Sequence, residues 1–260
     1  VMFKTDNYKN KTVVITGGTK GIGLGITKAY LSLSAKVIIL ARNKPKKQIQ
    51  VKGNKAVFYN CNVRDNSNVE EVINEIIRSN KSIDVLINNA GGAPLISSLD
   101  ASMNFNNAII DLNLNSSFAV SYYVAKKMIK KSSGCVITNI SSVTATRPTP
   151  GSAAYGAAKG GLVNLTKTLA VEWAPRIRVN SIITGYIETE NSLVHYGSKK
   201  DMKAVAKTIP MQRMGTPEDI ANACIFLSSA NSSWITGTAI EVHGGGESPV
   251  YLNSAKPKES

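Results

Sequence analysis

Apolar residues along this chain fall into short unbroken runs, separated by longer amphipathic stretches. The runs cover residues 11–16 (KTVVIT), 36–41 (KVIILA), 56–59 (AVFY), 83–87 (IDVLI), 135–140 (CVITNI), 178–183 (RVNSII) and 238–242. Runs of this length bounded by polar or glycine residues predict strands, of which 11–16 and 36–41 read as buried. The stretches between them repeat at helical spacing. Ile22, Ile26, Ala29, Tyr30 and Leu33 mark one helix, and Val69, Val72, Ile73, Ile76 and Ile77 form a packing stripe on a helix predicted over 63–79. Further helices are predicted over 108–131 and from Pro217 to about Ser228, where a proline and two acids suit a helix N-terminus. Strands alternating with helices predict an α/β fold with a parallel, doubly wound, seven-stranded sheet. No internal repeat or linker interrupts the pattern, so residues 1–260 read as one domain with a polar tail over about 247–260.

The first run leads directly into Thr16-Gly17-Gly18-Thr19-Lys20-Gly21-Ile22-Gly23, and a helical pattern follows. A strand, a glycine-rich turn and a helix make a phosphate cradle. The glycines allow close backbone approach, and the helix N-terminus offers free N–H groups and positive potential. The second run ends at Arg42, where a dinucleotide's adenosine ribose would lie. An acidic residue there suits the ribose hydroxyls of NAD; an arginine suits the 2′-phosphate of NADP. The acid is absent, and Lys20 adds a second positive charge, so the pair favours NADP(H). The fourth run ends in Asn88-Asn89-Ala90-Gly91-Gly92. Ligands bind beyond the C-terminal strand ends of such sheets, which puts Asn89, Ala90 and Gly91 in place to line a cofactor.

Candidate catalytic chemistry lies in residues 142–159. Tyr155 and Lys159 are four apart, on one helix face. A free tyrosine, with a pKa of about 10, is a poor base at neutral pH. A neighbouring ammonium favours the phenolate and is expected to draw that value down. Ser142 follows an apolar run, where its hydroxyl could orient a substrate oxygen at the mouth of the sheet. Gly156, Ala157, Ala158, Gly160 and Gly161 keep the helix surface open. Tyr-x-x-x-Lys alone carries little weight, since many helices present one to solvent. Asn113 is a polar residue amid Ile109, Ile110, Leu112 and Leu114. Buried, it needs partners: it either binds backbone or holds a water connected to the site.

Composition narrows the class. A hydrophobic share of 43% is ample for a core, and no apolar run reaches the length of a membrane span. The polar first eleven residues do not read as a signal peptide, and Cys61, Cys135 and Cys224 are scattered, as core residues of a cytoplasmic protein would be. Their spacing, with only two histidines in the chain, gives no metal site. The net charge of +14 includes lysine clusters at Lys44/Lys46/Lys47, Lys126/Lys127/Lys130/Lys131 and Lys199/Lys200/Lys203/Lys207. These are dispersed and lack interleaved aromatics, which argues against nucleic acid and for a solvated surface or attraction of an anionic cofactor or substrate.

Taken together, TGGTKGIG at 16–23, NNAG at 88–91, Asn113, Ser142 and YGAAK at 155–159 resemble the short-chain dehydrogenases/reductases, in that family's order and spacing. The likeness continues through Arg178-Val179-Asn180, Gly185-Tyr186-Ile187-Glu188-Thr189, Thr236-Gly237 and Gly244-Gly245, and spans about residues 8–246. The resemblance implies a Rossmann-type domain and an NADP(H)-dependent oxidoreductase acting on a ketone or secondary alcohol. Tyr155 would be the general acid/base, and Lys159 would lower its pKa and bind the nicotinamide ribose. Ser142, rather than Ser141, would position the substrate oxygen, and Asn113 would hold a relay water. Gly17, Thr19, Lys20, Gly21, Ile22, Gly23, Arg42, Asn62, Val63, Asn89, Ala90 and Gly91 would line the cofactor with Tyr155 and Lys159. Ile187 and Thr189 would approach the carboxamide. A 3-oxoacyl thioester reductase, acting on acyl carrier protein or CoA substrates, is the close alternative; an NADP-binding regulator without catalysis is the distant one. The resemblance also implies a flap over the substrate at 188–211, where His195 reads as surface, and a homotetramer or homodimer. Three residues depart from the family pattern. Asn62 stands where aspartate is usual, Thr184 where proline is usual, and His243 where aspartate is common. Thr184 is expected to leave its loop less rigid.

Overall fold

The computed structural model describes residues 8–130, 134–247 and 249. Seven strands form one parallel sheet: β1 (Thr12–Thr16), β2 (Lys36–Ala41), β3 (Val57–Asn60), β4 (Val85–Asn88), β5 (Cys135–Ser142), β6 (Ile177–Thr184) and β7 (Ala239–Val242). Their order across the sheet is β3-β2-β1-β4-β5-β6-β7. All pairings are parallel, with Val14 opposite Ile38 and Leu86, and Ser142 opposite Thr184. The fold is α/β and Rossmann-like. The chain builds outward from β1 to β3, then returns to the other side of β1 with β4. A crevice therefore opens at the C-terminal ends of β1 and β4, where ligands of doubly wound sheets bind.

Both strand parities are apolar because both sheet faces are covered. One face carries Val14, Ile38, Leu40 and Leu86, packed with Val69, Val124 and Leu169. These last three come from the helices α2 (Asn66–Asn80), α4 (Ser116–Met128) and α5 (Ala153–Trp173). The other face carries Val13, Ile15, Val37 and Ile39, packed with Ile26 and Tyr30 of α1 (Gly21–Ser32) and Ile220 and Leu227 of α8 (Pro217–Ser228). Tyr30 is fully buried and donates its hydroxyl to the Cys224 carbonyl at 3.0 Å, which ties the two helices together. All three cysteines are free and buried.

Helix ends follow the capping residues. α2 starts at Asn66 rather than at 63, because Asp65 accepts the Asn68 N–H and Val63 turns into the core. In α8, Thr216 and Asp219 form a capping box, with proline in the first turn. The helix expected over 108–131 is longer at its start and interrupted. Ser102 caps α3 (Met103–Ile110), a π-helical turn follows (Asp111–Asn115), and α4 then runs to Met128. Lys131 and the tail beyond 249 lie outside the described residues. A two-stranded hairpin, Gln50–Val51 with Asn54–Lys55, was not expected. Its turn residues Lys52 and Gly53 both have positive φ, as a tight hairpin turn of this kind requires. Residues 188–211 contain two short helices, α6 (Ser192–Tyr196) and α7 (Lys199–Thr208). No helix among the described residues is long and apolar enough to cross a membrane.

Candidate active site

Ser142 is the last residue of β5, and Tyr155 and Lys159 share the first two turns of α5. Parallel strand and packed helix thus deliver all three to one end of the sheet. Lys159 is only 4% exposed, and its Nζ donates to the Ile140 carbonyl at 2.8 Å. The same Nζ lies 5.7 Å from the centre of the Tyr155 ring. Ser141 is committed elsewhere: its buried hydroxyl donates to the Lys159 carbonyl at 3.1 Å and fixes α5 against β5. Ser142 is the serine left facing Tyr155.

Burial governs the protons here. It pushes the Tyr155 hydroxyl above its ordinary value, and the interaction with the Ser142 hydroxyl offsets this only in part. Burial also drives Lys159 down to about 8. The expectation that the lysine would draw the phenol downward is therefore not met in this state. The ammonium is itself desolvated, and its hydrogen bond goes to a backbone carbonyl. Tyr155 keeps its proton at neutral pH, which is the form that can protonate a carbonyl oxygen.

Asn113 is completely buried in the π-helical turn. Its Oδ1 accepts the Gly92 N–H at 2.8 Å, and its Nδ2 donates to the carbonyls of Gly92 and Ile109 at 3.1 and 2.9 Å. The side chain binds backbone, holding the segment after β4 against the helix. A Cβ on Gly91 would stand 2.6 Å from Asn113 Oδ1 and 3.3 Å from Lys159 Nζ, so the glycine lets all three meet.

The cradle has the geometry that its sequence predicts. Gly17 and Gly21 have positive φ, and a Cβ on Gly23 would lie 2.3 Å from the Gly17 carbonyl oxygen. Thr16, at the end of β1, joins the cradle to β4: its Oγ1 accepts the N–H groups of Asn89 and Ala90, each at 2.9 Å. Asn89 Nδ2 donates back to the carbonyls of Thr16 and Gly17. A carboxylate already occupies the first amide of α1. Gly21 N–H donates to both oxygens of Glu190, at 2.8 and 3.2 Å. An anion of the chain itself is held at this amide, as a helix N-terminus favours. Thr19 and Ile22 flank it, half-buried.

At the adenosine end, Arg42 and Lys20 are both exposed beyond β2 and at the start of α1. Asn62 accepts the Arg64 N–H at 3.3 Å through Oδ1, and Val63 is buried in the core, so its side chain is turned from the cleft. Ile187 is buried and bridges to Gly215. The bonds of that bridge belong to Tyr186 and Glu188, which leaves the N–H and C=O of Ile187 on the opposite side. Thr189 lies against the cradle, its Cγ2 3.6 Å from where a Gly21 Cβ would be.

The departures have local consequences. Thr184 closes β6, and its buried hydroxyl donates to the Ser141 carbonyl at 3.0 Å, a bond that proline cannot make. His243 pairs with Glu241 at 2.7 Å, and its Cβ lies 2.7 Å from the place of a Gly185 Cβ.

Beside Tyr155, a shallow cleft opens between the segment after β4 and the start of α5, with Ala93, Pro94, Ile96, Phe105 and Ile109 in its wall. Tyr196 of α6 packs edge-on to Tyr186 at 5.9 Å. Burial pushes Tyr196 up to about 12, with smaller contributions from Tyr186 and Tyr155 nearby. His195 is exposed. Two groups at this mouth lie in segments expected to border the substrate, 143–147 and 188–211, but their contacts were not foreseen. Arg147 donates to the Tyr186 hydroxyl and to Glu247, both at 2.8 Å, and Glu190 reaches Gly21. Both join residues far apart in the chain, and neither carries a local spacing signal.

The comparisons with known proteins agree with this geometry. A family described as enoyl-(acyl carrier protein) reductase matches residues 17–247. The 3-oxoacyl-[acyl-carrier-protein] reductase FabG of Chlamydia pneumoniae is 36% identical over 242 residues, covering 90% of this chain and 96% of that protein. The ligand-free aldohexose dehydrogenase of Thermoplasma acidophilum superposes with a TM-score of 0.86 at 32% identity, over 97% of this chain and 98% of that one. A short-chain dehydrogenase of Bacillus anthracis does so with a TM-score of 0.83 at 33% identity, over 94% and 99%. The chain belongs to the short-chain dehydrogenase/reductase family and is an oxidoreductase of that family, for which a nicotinamide cofactor is implied.

Proposed function

We propose that the chain is an NADP(H)-dependent oxidoreductase that moves a hydride between the nicotinamide and a ketone or secondary alcohol. The observation that carries this reading is the convergence of Ser142, Tyr155 and Lys159 beside a phosphate cradle. When bound, the dinucleotide supplies or accepts the hydride. Tyr155 gives its proton to the carbonyl oxygen in reduction and takes it back in oxidation. Ser142 donates a hydrogen bond to the same oxygen and stabilises the developing alkoxide. Lys159, held by the Ile140 carbonyl, places positive charge behind the phenol. Asn113 fixes the Gly92 backbone, next to the Gly91 that borders the lysine, and a relay water would draw on this same region. The role of the basic pair rests on position: Arg42 and Lys20 stand exposed where a 2′-phosphate would be bound, with no carboxylate at the end of β2.

Similarity to FabG favours a second reading, a 3-oxoacyl reductase acting on carrier-protein or CoA thioesters, and the net charge of +14 suits an acidic carrier. The aldohexose dehydrogenase likeness supports a small hydroxylated substrate instead. Assaying 3-oxoacyl thioesters beside free ketones and sugars separates the two. A homotetramer is also proposed, from the family and from apolar side chains left exposed on two faces: Phe118, Tyr122 and Val171 on α4 and α5, and Phe226 and Trp234 near β7.

Tyr155→Phe is expected to lower kcat by at least about a hundredfold, the lower range for a general acid, with cofactor affinity retained. Wild-type rate in that variant would overturn the mechanism. Reductive kcat/KM is expected to fall as pH rises through about 8, where Lys159 loses its proton while Tyr155 keeps its own. Lys159→Met should remove that limb along with most of the rate. Fluorescence titration is expected to show tighter binding of NADPH than NADH, with Arg42→Ala abolishing the preference. Equal affinities in the wild type would remove the 2′-phosphate reading. Light scattering should give the mass of four chains, and a monomer at micromolar concentration would exclude the assembly.

A further inference from the structure

The N-terminus of α1 is already engaged by the chain itself. Glu190 lies directly after Thr189, at the start of the segment that carries α6 and α7. Its carboxylate accepts the Gly21 N–H through both oxygens, at 2.8 and 3.2 Å, across a separation of 169 residues. Thr189 packs on the same glycine. Two further bonds carry the contact into α6: Thr189 N–H donates to Ser192 Oγ at 2.8 Å, and Ser192 N–H donates to the Thr189 carbonyl at 3.0 Å. Ser192 is buried, whereas Glu190 is exposed.

We propose that Glu190 is a built-in competitor for the cofactor's pyrophosphate, latching segment 188–211 onto the cradle. This rests on the dinucleotide reading given above. The argument is one of like charge at one donor. An amide at a helix N-terminus favours an anion, and it cannot serve a carboxylate and a phosphate oxygen together. Cofactor arrival must expel the carboxylate, and Thr189 and α6 move with it because of the Ser192 bonds. The observed cofactor affinity is then the intrinsic affinity reduced by the fraction of molecules in which the latch is closed. Glu190 acts as a positioning residue: it takes no proton and touches no reacting atom.

The test uses the full chain and two variants. Glu190→Gln removes the charge, and Glu190→Asp keeps the charge but shortens the reach by one methylene. NADPH and NADH are titrated by fluorescence. Hydrogen exchange across residues 192–209 is measured without cofactor. The latch predicts that both variants bind the preferred dinucleotide about three- to tenfold more tightly, the gain expected when an exposed charge-assisted contact is lost. It also predicts faster exchange across 192–209 in both variants. Tighter binding in Glu190→Gln alone, with Glu190→Asp like the wild type, would mean general repulsion of the cofactor's charge and would overturn the latch. Unchanged affinity and exchange in both variants would overturn it outright. A wild type that binds neither dinucleotide would overturn the cofactor reading and the competition together, whereas unchanged affinity in variants of a binding wild type overturns the competition alone.

Discussion

A lysine amine held in a nearly dry place sets the terms for the rest of the site. Removing an ammonium from water is costly unless a partner replaces the lost hydration. The Ile140 carbonyl is that partner, and it is available because it lies near the end of β5, where α5 crosses. Glycine at 91 leaves room for the Nζ, and glycines at 156 and 161 let α5 approach Thr144 and Leu114 closely. Ser141 anchors the Lys159 backbone from below. Small residues, a strand end and a buried hydroxyl together produce an amine that can change charge near neutral pH and a phenol that keeps its proton.

A second constraint runs beneath the cofactor crevice. Asn88, at the end of β4, donates to Ser121 Oγ and to Asn139 Oδ1, and Asn139 donates to Thr166 Oγ1. This chain of buried amides links β4, β5, α4 and α5. These bonds cross-link the crevice floor, while the segment over it is made of two short helices with exposed apolar residues at Leu193 and Val194.

Much of this architecture could be read along the chain. The inner strands, buried on both faces, leave continuous apolar runs; the edge strands β3 and β7 are only partly buried, yet all seven were legible within two residues at either end. The cradle turn and the neighbourhood of Tyr155 and Lys159 were legible because they rest on short spacings that strand and helix preserve. The π-helical turn was not legible. Asp111 to Asn115 has the composition of any helical stretch, and only the fit of Asn113 to Gly92 shows why the extra residue is accommodated. The direction of the Tyr155 shift was misread because spacing reveals a charged neighbour but not the depth of burial. The Thr184 hydroxyl bond and the Arg147–Glu247 pair depend on strand register and on contacts across 100 residues of chain, which no local pattern encodes.

The strand order also has a consequence for biosynthesis. Every pairing on the cradle side, β1 with β2, β2 with β3 and β1 with β4, lies within the first 88 residues. Ser142, Tyr155 and Lys159 follow only with β5 and α5, and β6 and β7 complete the other edge later still. The helices that cover the cradle-side strands come from this later part of the chain: α4 and α5 lie on one face and α8 on the other. The oldest strands of the chain therefore lack their full cover until residues as late as Leu227 have been made.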